Sequence, residues 1–246
     1  MKRLLLLLIT IFLCYENLPA QQDGQLLREI KKGIKDLYTD HNLLYMFLIS
    51  GTIANTNIDC EFRDHYQENI RSQGSDDFSR ISKPLGEGLY VFPVYPAVYY
   101  LGKLTENENV IKWAEFSMMA AVISAPGILT SQLILGGARP TNGTGSKWWG
   151  NEHKFNGASG HTWVAAVPFI TAAKMTENRV LKCLLFILSA STGLSRVNDD
   201  AHYLSQVILG YTWAYLGVSN VLRNREVEGK YGMLFSGGRF GLYIRF

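Results

Sequence analysis

QLILGGARP at Gln132–Pro140, GASGH at Gly157–His161 and SRVNDDAHYLSQ at Ser195–Gln206 are three short polar boxes, each set where an uncharged run begins or ends. That placement predicts that each box lies at a helix terminus rather than mid-helix. Together, Arg139, Arg196, His161, His202 and the Ser159-Gly160 pair make up what an anion site needs. Guanidinium forks grip phosphate oxygens bidentately, and free N–H groups at a helix N-terminus add donors and a favourable dipole. Two histidines in one site can divide the work of nucleophile and general acid. The residues point to phosphoryl transfer.

Outward from the boxes, the chain is predicted to be all-α. Uncharged apolar segments at 42–58, 88–102, 116–138, 162–173, 183–195 and 203–222 give six helices. Residues 21–42 form an amphipathic lead-in helix, with Leu26, Leu27, Ile30, Ile34 and Leu37 recurring at helical spacing. Pro93 and Pro96 are expected to kink or begin their helix, and Pro126-Gly127 to break the run at 116–138. Asp59 to Lys83 is charged and polar and reads as a solvated connecting segment. His65 and the carboxylates within it lack a coordinating spacing, so no metal site is assigned. The Gly/Asn/Thr-rich stretch 141–156 reads as a long loop beside the boxes, and such loops are often functional. It carries Trp148 and Trp149, which can meet lipid or simply anchor the loop. It also carries Lys147, His153 and Lys154, and either lysine could add positive charge to the site. At the tail, Tyr231, Met233, Phe235, then Phe240, Leu242, Ile244 and Phe246 alternate around Ser236-Gly237-Gly238, which predicts a short β-hairpin.

Composition narrows the class. Twenty-four basic and 21 acidic side chains give a formal charge of +3 over 246 residues, with no basic run longer than Lys31-Lys32, so a nucleic-acid surface has no support. Mean hydropathy of +0.01 fits a soluble protein and a modestly hydrophobic membrane protein equally well. Lys2-Arg3, the apolar run Leu4 to Leu13 and Leu18-Pro19-Ala20 read as a signal peptide over 1–20, cleaved before Gln21. Export to the periplasmic side of a membrane is expected. Cleavage leaves Cys60 and Cys183, read as free thiols, buried for Cys183, in preference to a disulfide. The segment 116–138 is long enough to cross a bilayer, yet its Ser117, Ser124, Thr130, Ser131 and Gln132 suit a bundle interior as well.

The order and spacing of the boxes resemble the type 2 phosphatidic acid phosphatase superfamily, which also includes the vanadium haloperoxidases. Its pattern runs Lys-x6-Arg-Pro, Pro-Ser-Gly-His and Ser-Arg-x5-His-x3-Asp. Arg139-Pro140, Ser159-Gly160-His161, and Ser195, Arg196 and His202 match it, with Ala158 at the usual proline. The resemblance covers roughly 85–222, preceded by a lead-in and first core helix at 21–84 and followed by a tail at 223–246. It implies a six-helix bundle and an enzyme that hydrolyses phosphate monoesters or diphosphates, of phosphatidate or isoprenoid type. In family terms His202 is the nucleophile and His161 the general acid. Arg139, Arg196, Ser159 and Gly160 cradle the phosphate. No cofactor is implied, with vanadate as inhibitor or, in the haloperoxidase reading, as cofactor. Partners are a lipid phosphate and a membrane, with no obligate protein partner.

Two further positions depart from the pattern. Gln132 stands at the lysine and Gln206 at the closing aspartate. Gln132, two turns before Arg139, can still donate to phosphate, but without charge. Gln206, at i+4 from His202, can accept the Nδ1 proton through its amide oxygen, yet it cannot stabilise an imidazolium as a carboxylate does. Asp199, at i−3 from His202, is the alternative source of that charge. Three readings follow: a working phosphatase, a relative that binds phosphate or lipid without turnover, and a vanadium-dependent haloperoxidase.

Overall fold

A computed structural model of the chain describes residues 20–143, 145–149, 156–228, 231–236 and 239–244, for 20–27 and from 225 onward the backbone only. The signal peptide read over 1–20, and His153 and Lys154, lie almost wholly or wholly outside the described residues.

Nine α-helices are present among the described residues, rather than six plus a lead-in. They are α1 (Ala20–Tyr38), α2 (His41–Asn55), α3 (Ile58–His65), α4 (Gln73–Ser82), α5 (Gly88–Leu104), α6 (Glu108–Ile134), α7 (Gly160–Met175), α8 (Arg179–Asn198) and α9 (Leu204–Glu228). The two additional helices, α3 and α4, occupy the segment read as a solvated connection. Their inward residues are polar: Asp59, Ser79 and Ser82 are all buried. Each is hydrogen-bonded, through its side chain or its carbonyl, to a partner far along the chain, so burial there leaves no apolar period to read. Ser72 caps α4 in a reciprocal box with Ser75. Polar side chains likewise cap α2 (Asp40), α6 (Asn107) and α8 (Asn178).

Helices α6, α7, α8 and α9 pack around one another. Helix α5 lies on α6, α2 on α9, and α4 on α8. Trp163, Leu209, Ile123, Ile128, Ile170, Val167 and Val218 are fully buried at their centre. The lead-in helix α1 buries Leu37 completely and rests Ile30 and Ile34 on this core. Helix α6 runs unbroken through Pro126, contrary to the expected break. Its place between α7 and α9 supplies the packing, and its serines take indole protons from both sides. Trp163 donates to Ser124 at 2.8 Å and Trp213 donates to Ser131 at 2.9 Å. These hydroxyls are bundle-interior groups, satisfied where they are buried. Helix α5 likewise contains both Pro93 and Pro96.

Helices α6 and α8 are long and apolar enough to cross a membrane, by length and composition alone. Cys60 and Cys183 are free, and Cys183 is exposed on α8 rather than buried. The all-α class rests on the helices alone, and the β-hairpin expected at the C-terminal tail is not part of it.

Candidate active site

The three boxes meet where α6 ends, α7 begins and α8 turns into α9. Box two opens α7: Ser159 is the N-cap, its Oγ accepting from the Thr162 N–H at 3.4 Å and from the Thr162 hydroxyl at 2.9 Å. Gly160 and His161 are thus the first helical residues, with their N–H groups at the positive end of the dipole. The Ser159 N–H donates to the Gln206 carbonyl at 2.9 Å, tying box two to box three. Gly210 makes this approach possible, because a Cβ there would come within 2.4 Å of the Ser159 carbonyl oxygen.

Box three is shaped by how α8 stops. Asp200 takes the left-handed conformation at φ 53, Ala201 N–H donates to Arg196 O at 2.9 Å and Asp200 N–H to Val197 O at 3.1 Å. This is a Schellman ending with aspartate where glycine is usual. Arg63 of α3 holds Asp200 through two hydrogen bonds, of 2.7 and 2.5 Å. The turn delivers His202 just ahead of α9. The α9 N-terminus is then capped from two directions. Buried Asp59 accepts from the Ser205 N–H at 2.9 Å and from its hydroxyl, while Gln206 Oε1 accepts the Tyr203 N–H at 3.2 Å.

Gln206 and His202 form a defined pair, both buried. Gln206 Nε2 donates to the Ala138 carbonyl at 2.7 Å, and a carbonyl can only accept. That fixes the amide, so Oε1 is the atom facing His202 Nδ1 at 2.8 Å. Nδ1 therefore carries the proton, and Nε2 of a neutral His202 is left with its lone pair. Burial above all pushes the His202 pKa down, to about 3; the bond to Gln206 opposes this, and the charges of Arg139, Arg196 and His161 add to it. His161 is about a third exposed, with Nε2 3.8 Å from Glu87 Oε2. Its pKa is also lowered, by burial first and then by Arg196, Arg139 and Lys83, against the opposing pull of Glu87.

The two arginines differ. Arg196 is buried, and its Nε and Nη1 have no hydrogen-bond partner among the described residues. Asp199 Oδ2 lies 3.5 Å from Nη1, beyond a charge-assisted hydrogen bond. Arg139 is exposed and donates through Nε to Asn156 at 3.1 Å. A buried guanidinium with open donors is costly unless something anionic completes it.

Other expected residues have different surroundings. Gln132 donates to the Ala158 carbonyl at 3.1 Å, so its amide ties box one to box two. Asp199 is turned to Ser79, Lys83 and Arg196 rather than to His202. The reason is the Schellman turn, which carries the chain away between the two residues. Lys147 is exposed beside Ser146, whose hydroxyl docks on the Ala54 carbonyl at 3.0 Å. Trp148 is buried against Phe47 and anchors the loop, whereas Trp149 is 70% exposed. The charges acting on His161 include Lys83 and Glu87, which the sequence reading did not single out. Both lie in Lys83-Pro84-Leu85-Gly86-Glu87, a charged, Pro- and Gly-punctuated boundary of the same kind as the three boxes.

Residues 97–226, just over half of the 246, match the family model described as PAP2 superfamily. No curated protein and no solved structure matches the chain.

Proposed function

This chain belongs to the PAP2 superfamily, and we propose on that premise that it is a phosphatase acting on lipid phosphate monoesters or diphosphates at the exported face of a membrane. The observation that carries the reading is buried Arg196, with two open nitrogens, in the electrostatic neighbourhood of both site histidines. A phosphoryl group supplies the missing acceptors. Arg139, the Gly160 N–H at the α7 N-terminus and the buried Ser159 would complete the cradle.

In the proposed reaction the Nε2 lone pair of His202 attacks phosphorus, forming a P–N bond as the ester P–O bond breaks. Protonated His161 gives its proton to the leaving alkoxide. Neutral His161 then takes a proton from water, whose oxygen attacks phosphorus and breaks the P–N bond, releasing phosphate and restoring His202. Gln206 holds the reactive tautomer throughout. A lipid substrate is supported by the apolar side chains exposed at the boxes: Leu133 and Ile134 within box one, Leu194 before box three, and Trp149. Membrane association is supported by these and by the further exposed apolar residues of α2, α5 and α8, with α6 and α8 as the candidate spans.

One observation favours a second reading, phosphate binding without turnover. His202 is partnered by a neutral amide, not a carboxylate, so the positive charge that develops on it lacks a counter-ion. Phosphate release in detergent from a short-chain phosphatidate and an isoprenyl diphosphate separates the two. The phosphatase reading predicts release that His202→Ala abolishes. A wild-type protein that binds phosphate or vanadate and releases nothing establishes the second.

A further inference from the structure

Lys83 opens the short 3-10 turn Lys83–Gly86 that closes α4, outside the residues that match the family. This turn is pressed onto the site. A Cβ on Gly86 would come within 2.7 Å of the His161 carbonyl oxygen and 2.9 Å of the His161 Cβ, so only glycine lets the turn sit this close. Thr192 of α8 donates to the Ser82 carbonyl at 2.7 Å, and Ser79 of α4 donates to the Ser195 carbonyl at 3.3 Å. The lysine is thus carried on a docked element, not a loose one.

Its ammonium and the Arg196 guanidinium converge on a single atom. Asp199 Oδ2 lies 3.4 Å from Lys83 Nζ and 3.5 Å from Arg196 Nη1. The oxygen of an internal carboxylate thus sits between two cations beside His161, where a phosphoryl oxygen would find the same two donors. Meanwhile Gln132 brings no charge and has committed its amide to the Ala158 carbonyl. The Lys83 side chain is about half exposed, on a flexible stem with three rotatable donors, so it can turn from Asp199 to a ligand without moving the backbone.

We propose that Lys83 is a phosphate-contacting residue of this site, supplying from the α4–α5 turn the positive charge that box one lacks at Gln132, with Asp199 holding Lys83 and Arg196 in place until substrate arrives. The proposal rests on the phosphatase reading for the reaction but not for the binding.

The test is vanadate and inorganic phosphate binding by calorimetry, alongside kcat and KM for phosphate release, in the detergent-solubilised full chain. Wild type, Lys83→Gln and Lys83→Arg are each measured alone and in an Asp199→Asn background. Loss of Lys83 is expected to weaken anion binding and lower kcat/KM by roughly 10- to 100-fold, with Lys83→Arg within a few-fold of wild type. The same loss is expected in the Asp199→Asn background, because the lysine acts on the ligand and not merely on the neighbouring carboxylate. Unchanged binding in Lys83→Gln overturns the proposal, as does a defect that vanishes with Asp199→Asn. Wild-type protein that binds vanadate without turnover removes the phosphatase reading and leaves Lys83 to be judged on binding. Protein that does neither overturns both.

Discussion

The amide of Gln206 does three things at once: it accepts the His202 Nδ1 proton, caps α9 by accepting the Tyr203 N–H, and donates to the Ala138 carbonyl. Gln206→Asp would therefore not act as a simple restoration of charge. A carboxylate cannot donate, so the buried Ala138 carbonyl would lose its partner and face a like partial charge. The expected result is a loss of about 1–3 kcal/mol in unfolding free energy by urea titration, without a gain in phosphate release. A stable, more active Gln206→Asp would show that the donor role is dispensable. The position of Gln206 and its partnership with His202 were legible at i+4 spacing, but the Ala138 bond was not, because it joins residues 68 apart in sequence. The histidines also fix a pH dependence. His161 must be protonated to serve as acid, and its pKa lies below the ordinary 6.5. His202 must be neutral and remains so down to about 3. kcat/KM should thus fall as pH rises through a value below 6.5, while protonation of His202 imposes no acid limb in the ordinary range. The sign of each neighbour follows: Lys83→Gln moves this basic limb to higher pH and Glu87→Gln moves it lower.

Among the elements, the end of α8 sets the geometry of the site. Asp200 occupies a φ of 53 that most side chains avoid, and Arg63 grips its carboxylate. Backbone strain and ion pair can be separated by substitution. Asp200→Ala loses the ion pair and keeps the strained conformation, and should cost about 1–2 kcal/mol, whereas Asp200→Gly loses the same ion pair but accepts the conformation and should cost clearly less. Equal losses in urea titration would mean that the Arg63 contact, not the turn, is what matters. The apolar helices and the location of the boxes at helix ends could be read from the sequence because burial there is apolar and periodic. Helices α3 and α4 could not. Their buried face is built from Asp59, Ser79 and Ser82, satisfied by Ser205, Ser195 and Thr192 on distant helices. A pattern of polar residues that is buried only by long-range partners looks like a solvated linker. The same blindness hid Lys83, which reaches the site only because α4 docks on α8.

Across the whole molecule, Arg139 after α6, His161 of α7 and Asp199 at the α8–α9 junction lie about a buried arginine with two nitrogens unpaired among the described residues, in a bundle with extensive exposed apolar surface. In the proposed reaction everything else in the site serves to position or balance one nitrogen, Nε2 of the neutral, tautomer-locked His202. The most direct test is to mix the full chain with a short-chain phosphatidate, quench with alkali during the first turnovers, and map any phosphoryl adduct by mass spectrometry. An alkali-stable, acid-labile phosphoryl group on His202, absent from His202→Ala, is the expected result. Phosphate release without an adduct on His202, or with the adduct on His161, would contradict it.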